Sequence, residues 1–337
     1  MEIERVKLAE AITRVLPAVG KKETFEQATK IVFHDGHVAA YNDEISIFDR
    51  QPDLAGIEGA VDGRQLCDLL GKISTDAVTL AVDGSRLSIR SGRVRADFDM
   101  LPVALPLDEI DRSGEEGDPL PADFCGALGL VAAACARDMS RPVLTCVCLG
   151  GDRVEAADGF RAARSSFEGA SLPSLLLPVT AAEVLVGYPV ERVAASDSGE
   201  WARFTARGGD TVIFARVFSG RFPDLDGLYE VEGHAVVLPS ALDKVLDRAG
   251  IFTRREHRID EVVHLSMRRS QVTVSAEYEG GRFTEVIRSD GQDVDADFSI
   301  HPDFLSEALK TGTSCVVGGD RVLFSGERWR HVIALRD

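Results

Sequence analysis

The chain has 337 residues, of which 45% are hydrophobic and 28% charged; this composition is typical of a folded protein with two or three domains and excludes a disordered chain. No apolar run approaches the roughly 18 residues of a membrane helix, and the first residues lack the basic and then apolar layout of a signal peptide, so we expect a cytoplasmic protein without membrane contact. The formal net charge of −17 argues against nucleic-acid binding, which requires Lys and Arg, unless the basic residues share one surface.

The first third of the chain alternates helical and strand-like patterns. Residues 7–16 carry apolar side chains at helical spacing, and Pro17 ends that pattern. The predicted elements are, in chain order, a helix at 7–16, strands at 30–34 and 37–41 around an Asp-Gly turn, a helix at 62–74, and alternating strands within 78–102. Because each helix is amphipathic, each should cover a sheet.

The same order of elements recurs twice more. The second repeat has helical patterns at 124–135 and 180–188, and the third has them at 242–249 and 304–309, each followed by paired strands. The repeats predict an α+β protein with domains at 1–112, 119–226 and 227–337. Repeated units stack, pair their edges or close into rings, so we expect the function to lie in the assembled shape.

Motifs for catalysis or cofactor binding are absent from the sequence. There is no phosphate-binding glycine loop, no nucleophile elbow and no cysteine pair at zinc or redox spacing, so the six cysteines should be buried, reduced thiols. His34 and His37 flank a turn without a third ligand, and the loop that starts at Asp224 lacks the glutamate that ends a calcium loop. We expect a protein that is not an enzyme and that binds no metal and no cofactor.

Charge and apolar residues are distributed unevenly. Acidic residues crowd 108–118 and 289–297, whereas basic residues cluster in and beside the helical patterns, which fits either solvated faces of both signs or one basic surface. Residues 157–162 (ADGFRA) place a phenylalanine and an arginine beside a tight turn, and residues 219–229 (SGRFPDLDGLY) are apolar where a polar linker is expected. These segments either hold two domains together or line a groove for a partner's peptide.

The threefold layout, the D-G-x-R turn at 158–161 and the G-R-F-P-D run at 220–224 resemble the bacterial DNA polymerase III beta subunit, the sliding clamp. The similarity covers essentially the whole chain, including the helix end at 248–252 and a terminal strand at 331–336, and the G-R-F-P-D run is its most specific match. The resemblance implies three tandem DNA-clamp (processivity-fold) domains, each with helices packed on antiparallel sheets. Two chains would form a head-to-tail ring around double-stranded DNA.

In such a ring, the sheets form the outside and the helices line the hole, so that basic helix residues face phosphates and hold DNA without reading its sequence. The helix at 180–188 has no Lys or Arg, which argues against a share in DNA contact. The candidate DNA-facing residues, inferred from charge and helix placement, are Lys21, Lys22, Arg64, Lys72, Arg137, Arg141, Lys244, Arg248 and Lys310.

The resemblance also implies that the replicative polymerase, the clamp loader and repair proteins dock through short peptides. Matched residue by residue, the groove between the second and third domains is built from Leu144, Ala157, Gly159, Phe160, Arg161, Ala162, Pro223, Leu228 and the C-terminal residues from Val332 to Leu335. The chain departs from the family pattern at Gly227, where arginine is frequent, at Phe160, where histidine or a ring-bearing residue is frequent, and in a tail without Met-Pro. We therefore expect a different peptide preference.

A homodimer is implied as well, with the first domain of one chain against the third domain of the other. Sheet edges and a small apolar patch would pair, so that ring closure removes exposed strand edges. The matching positions are Ile251 and Phe252 in the third domain and Gln65 and Leu69 in the facing helix.

Alternatives of other classes stay open. The departures from the family pattern favour a clamp paralogue, for example phage- or plasmid-encoded, that serves another replisome or acts as a decoy. The net acidity favours a scaffold protein that does not bind DNA. An enzyme is the least supported reading, because no nucleophile, metal cluster or phosphate loop is visible.

Overall fold

The computed structural model describes residues 1–112, 117–278, 280–289 and 295–336. Residues 113–116 of the first acidic segment and 290–294 of the second lie outside the described residues. Within the described ranges, every helix is too short or too polar to cross a membrane. The α-helices in these ranges are α1 (Arg5–Val15), α2 (Gly63–Lys72), α3 (Phe124–Ala132), α4 (Val179–Leu185), α5 (Leu242–Ala249) and α6 (Pro302–Leu309).

Strands supply most of the other regular structure. They are β1 (Glu2–Glu4), β2 (Ile31–His34), β3 (His37–Tyr41), β4 (Ile45–Arg50), β5 (Gly59–Val61), β6 (Ala77–Asp83), β7 (Arg86–Ser91), β8 (Val94–Asp99), β9 (Asp118–Pro119), β10 (Cys146–Gly151), β11 (Arg153–Ala157), β12 (Arg161–Ser166), β13 (Leu172–Pro178), β14 (Val190–Ala195), β15 (Trp201–Ala206), β16 (Thr211–Arg216), β17 (His234–Val237), β18 (Val263–Arg268), β19 (Gln271–Tyr278), β20 (Gly281–Arg288), β21 (Ala296–Ile300), β22 (Ser314–Val317), β23 (Arg321–Ser325) and β24 (Trp329–Ala334).

The chain divides into two compact units. Unit 1 contains Met1–Cys125 and Ser171–Ser219, and unit 2 contains Gly126–Ala170 and Gly220–Asp337. The boundaries of the three predicted domains describe a different division and stay a prediction.

Unit 1 contains two antiparallel sheets, with the strand orders β1-β6-β7-β8 and β5-β2-β3-β4-β16-β15-β14-β9. Helices α1 and α2 pack against each other, and α1 also packs against β3 and β4. Leu8, Ile12 and Val15 are fully buried because their spacing places them on one face of α1. Helix α2 begins where the Asp62 carboxylate accepts the backbone N–H of Gln65 at 3.0 Å, which caps its first turn.

Unit 2 contains the sheet β20-β19-β18-β21 and the strand run β10-β11-β12-β24-β23-β22-β17. Helices α5 and α6 pack against each other, and Leu242, Leu246 and Leu305 point from them into one apolar core. The order β10-β11-β12-β24-β23-β22 repeats the order β2-β3-β4-β16-β15-β14 of unit 1. Positions around the β11–β12 turn of unit 2 therefore correspond to positions around the β3–β4 turn of unit 1.

The predicted α+β fold with antiparallel sheets is confirmed. The terminal strand is a correction, because it was predicted at 331–336 and lies at Trp329–Ala334. It begins earlier because Trp329 already pairs with Ser165 of β12. It ends earlier because Arg336 leaves the pairing with β23, and its N–H donates to the carbonyl of Ser299 in β21, at 2.8 Å, in an isolated bridge.

Candidate functional site

Four of the predicted groove residues form one apolar cluster in unit 2, which we call the groove floor. Ala157 of β11 lies directly opposite Ala162 of β12, which in turn lies opposite Val332 of β24. Leu144, in the turn before β10, packs into the same cluster. Ala157 and Ala162 are only 4% and 0% exposed, so the larger apolar side chains of the same cluster cover both alanines. The other buried members of the groove floor are Ala136, Leu225, Tyr229 and Leu323.

The D-G-x-R turn joins β11 to β12 and holds Arg161 in place. The Asp158 carboxylate accepts the backbone N–H groups of Phe160 and Arg161 at 2.8 and 2.9 Å and the Arg161 Nε–H at 3.0 Å. Gly159 has a φ of +93°, a conformation that side chains other than glycine rarely adopt. The Arg161 guanidinium also donates to the Ala133 carbonyl. The turn thus fixes the arginine.

The segment that contains the G-R-F-P-D run supplies both floor and rim. Leu225 and Tyr229 are buried in the groove floor, whereas Pro223 is exposed and Leu228 is 38% exposed. A short 3-10 helix over Asp226–Tyr229 produces this division by turning Leu228 outward. The two readings of the segment are therefore compatible: some of its apolar residues hold unit 2 together, and others stand at the edge of the groove.

Phe160 and Leu335 do not join the groove floor. Both pack against the core that contains Leu242 and Leu305, and the Arg336 guanidinium covers the Phe160 ring at 4.5 Å. The Arg161 guanidinium lies 4.2 Å above the ring of Phe304, a residue that was not among the predicted site residues. These contacts join residues far apart in the chain, so no local pattern could have revealed them.

A charged network, also missed from the sequence, borders the groove floor. The Arg164 guanidinium bridges the carboxylates of Glu155 and Asp226 and lies 4.6 Å above the Tyr229 ring. The hydrogen bond from Arg164 lowers the pKa of Asp226. Burial raises the pKa of Tyr229, whose hydroxyl has no hydrogen-bond partner within the described residues. The network fixes the side of the groove formed by β11 and β12.

The corresponding position in unit 1 is filled. There the residues opposite each other beside the β3–β4 turn are Tyr41 and Ser46, where unit 2 has Ala157 and Ala162. Tyr41 is fully buried, with ring centroids of Phe25 and Trp201 at 5.1 and 6.0 Å. The same strand framework therefore carries a packed aromatic core in unit 1 and two alanines covered by other apolar side chains in unit 2.

The predicted DNA-facing residues are exposed, and five of them border clefts. Lys21, Lys22 and Arg64 line a cleft of about 1130 Å³ in unit 1, the cationic cleft. Arg137 and Lys310 line a cleft of about 780 Å³ in unit 2, the mixed-charge cleft. The other candidates lie on exposed positions outside these clefts: Lys72 on α2, Arg141 in the turn after α3, and Lys244 and Arg248 on α5.

Two of these cations are already held by carboxylates. The Arg248 guanidinium donates to both oxygens of Glu285, at 2.6 and 2.9 Å, and the Lys310 ammonium donates to Glu307 at 2.8 Å. A carboxylate at this distance offsets part of the charge that a phosphate would meet. Arg248 and Lys310 are therefore weaker candidates than Lys244 or Lys21.

The predicted dimer residues lie at the surface of both units. Gln65 is exposed and Leu69 is half-buried on α2 of unit 1. In unit 2, Ile251 is 62% exposed, and the half-buried Phe252 stacks on Phe283 of β20 with ring centroids 5.7 Å apart. Strands β8 and β20 end their sheets, so each has one side without a strand neighbour in the described residues. Each unit thus presents an apolar contact and a sheet edge.

The prediction of buried cysteines holds for Cys135, Cys146 and Cys315, whereas Cys67, Cys125 and Cys148 are half-buried. The cysteines are free thiols, and burial raises the pKa of Cys135 and Cys315 to about 12. His34 pairs with Glu58 at 2.8 Å on the exposed hairpin. Clusters of three or more His, Cys, Asp or Glu side chains suited to a metal ion do not occur within the described ranges.

No model of a protein family matches this sequence, but solved structures of bacterial sliding clamps match it over their full length. The DNA polymerase sliding clamp from Bacillus subtilis is 22% identical, with a TM-score of 0.77 over 100% of this chain and 98% of that chain. The beta subunit from DNA polymerase of Streptococcus pyogenes is 17% identical, with a TM-score of 0.82 over 99% of both chains. The DNA polymerase III subunit beta from Pseudomonas aeruginosa is 18% identical, with a TM-score of 0.79 over 100% and 99%. At these identities the match establishes the clamp fold, which confirms the fold implied by the sequence motifs.

Proposed function

We propose that this chain, which has the fold of the bacterial DNA polymerase III beta subunits, is a DNA sliding clamp that serves as a processivity factor and has no catalytic role. The full-length match to those clamps is the observation that carries the proposal. Three tandem domains per chain and two chains per ring would encircle duplex DNA. The replicative polymerase, the clamp loader and repair proteins would bind through short peptides.

The peptide site of this proposal is the groove floor of unit 2. Its apolar strand face is bordered by the exposed Pro223 and Leu228, and apolar surface with a defined rim suits an extended peptide with apolar anchors. The contrast with Tyr41 in unit 1 explains why one position in each chain would serve partners. Gly159 and Arg161 would act by fixing the turn, and Phe160 and Leu335 by supporting it.

Loading onto nicked circular DNA by a bacterial clamp loader with ATP, followed by cutting of the circle, tests this function. We expect the protein to stay on the circle during gel filtration at high salt and to leave once the DNA is linear, because a ring is held topologically and not by charge. A protein that stays on linear DNA and leaves with salt is an ordinary DNA binder. A protein that never stays on the circle fits the acidic scaffold.

Replacing Ile251 and Phe252 with alanine is expected to give monomers. Both residues lie beside strand β20, and Ile251 is 62% exposed, so their removal takes apolar area from the contact between chains. Val237→Ala on the remote strand β17, where the side chain is 37% exposed, is the matched control and should keep the dimer. Analytical ultracentrifugation distinguishes the two masses, and an unchanged dimer in the double variant refutes this patch.

Lys244→Gln is expected to weaken duplex binding more than Arg248→Gln. The two residues share α5, but Arg248 is already held by Glu285. Removing one phosphate contact reduces the steepness of log K against log salt by about 0.9. Anisotropy of a labelled duplex over a salt series measures that slope. A slope for Lys244→Gln equal to that of the unmodified chain would show that Lys244 makes no phosphate contact.

A clamp paralogue that serves another replisome or acts as a decoy is the second candidate. Two of the three departures from the family pattern, Phe160 and the tail, touch each other through Arg336, and the third, Gly227, lies in the 3-10 helix at the rim of the groove. Binding of the clamp-binding peptide from the host's replicative polymerase distinguishes the two candidates. A chain that slides on DNA but does not bind this peptide is the paralogue.

A further inference from the structure

The cationic cleft of unit 1 is larger than the mixed-charge cleft of unit 2, and its base is apolar. Leu16 and Val184 are half-buried on its walls, and Pro17 and Pro189 are exposed at its mouth. These side chains carry no group that could hold a phosphate. The cleft therefore offers more than the electrostatic surface that DNA requires.

The base of this cleft is held open by hydrogen bonds. Tyr188 is 8% exposed, and its hydroxyl donates to the Arg14 carbonyl. The Tyr188 carbonyl accepts the Cys125 thiol at 3.0 Å, and the Arg14 guanidinium is fixed by Asp49 at 2.9 and 3.0 Å. Because these contacts fix both walls, a ligand would find the apolar surface already formed.

Cationic side chains outnumber acidic ones around this cleft. Its lining includes five cationic and two acidic side chains, whereas the mixed-charge cleft has four of each. Arg14 and Arg207 share the buried carboxylate of Asp49, but Lys21 and Lys22 form no ion pair within the described part of the chain. Arg64 reaches only the Val19 carbonyl, at 3.2 Å, among its described hydrogen bonds. The rim therefore attracts an anionic partner.

We propose that the cationic cleft is a second docking site and binds an acidic peptide with aliphatic or aromatic side chains. The apolar side chains of the peptide contact Leu16 and Val184, and its carboxylates contact Lys21, Lys22 and Arg64. Duplex DNA offers the same negative charge, but its backbone carries no projecting aliphatic or aromatic side chain for the walls, so the peptide is the better complement. Since the two ligands share the same cations, they compete, and the site is open when DNA is absent.

The test measures the anisotropy of a fluorescein-labelled peptide, E-E-L-L-D-F-L-E-E, titrated with the full chain. We expect saturable binding that falls at least about tenfold, or ~1.4 kcal/mol, both in Val184→Asp and in the double variant Lys21→Glu with Lys22→Glu. Val186→Asp is the matched control, because Val186 is 41% exposed just after α4 but does not line the cleft. The double variant changes exposed residues only and so keeps the test valid if Val184→Asp does not fold.

Any of the following outcomes overturns the proposal. One is the absence of saturable binding to the unmodified chain or wild-type affinity in the double variant. Another is equal binding of a peptide with serine in place of leucine and phenylalanine, which would mean that charge alone is recognised. The third is a loss of duplex binding in Val184→Asp as large as the loss of peptide binding, which would assign the walls to DNA. The assay needs neither a loader nor a ring, so its result is independent of the proposed clamp function.

Discussion

Replacing Ala157 with tyrosine is expected to abolish peptide binding by unit 2. Tyr41, at the corresponding position of unit 1, is fully buried and fills the space above its sheet together with Phe25 and Trp201. Ala157 and Ala162 are 4% and 0% exposed, so a tyrosine at 157 would have to displace the side chains that cover them and would distort the groove floor. Anisotropy with a labelled clamp-binding peptide from a bacterial replicative polymerase should show an affinity at least about 30-fold lower, the effect of removing a central anchor from an interface.

A second variant separates loss of the groove from loss of folding, because filling a packed site destabilises proteins by about 1–3 kcal/mol. Leu228→Ser changes a rim side chain that is 38% exposed, so the fold should be unaffected while the affinity falls about tenfold. Val237→Ser, 37% exposed on β17, is the matched control. Wild-type affinity in both groove variants would place the peptide elsewhere.

The pairing of the two alanines in the groove floor could be predicted from the sequence because its geometry is local. An Asp-Gly turn places the two alanines of A-D-G-F-R-A opposite each other on adjacent strands, and the structure has Ala157 paired with Ala162. The helices follow for the same reason, since apolar spacing decides which face is buried. Clusters built from one turn or one helix face are visible in a single sequence.

The placement of Phe160 could not be predicted in this way. Phe160 lies in the same turn, directly before the start of β12. The position of its ring depends on Arg336, which lies far away in the sequence. The Arg164 network is similar, because Glu155 is a strand neighbour while Asp226 comes from the segment 62 residues further on. Charged residues of this kind look like solvated surface in the sequence, and only tertiary pairing shows that they are fixed.

Asp49 is the strongest case of this limit, and replacing it with asparagine is expected to destabilise unit 1 by about 3 kcal/mol. Its side chain is fully buried on β4. It accepts hydrogen bonds from Arg14, Arg207, Thr211 and Gln51 at 2.7–3.0 Å. An asparagine keeps the shape but removes the negative charge shared by the half-buried Arg14 and the exposed Arg207, so Arg14 is left with only the more distant Glu10, at 3.6 Å.

Urea unfolding followed by Trp201 fluorescence measures this loss, in a Trp329→Phe background that leaves Trp201 as the reporter in unit 1. Asp53→Asn is the matched control, because Asp53 forms an ion pair with Lys7 at 2.5 Å in which both side chains are about half exposed. An exposed pair of this kind contributes less than about 1 kcal/mol. The prediction is wrong if Asp49→Asn lowers the free energy of unfolding no more than Asp53→Asn does. In that case the contacts of Asp49 with Arg14 of α1 and with Thr211 of β16 do not stabilise unit 1.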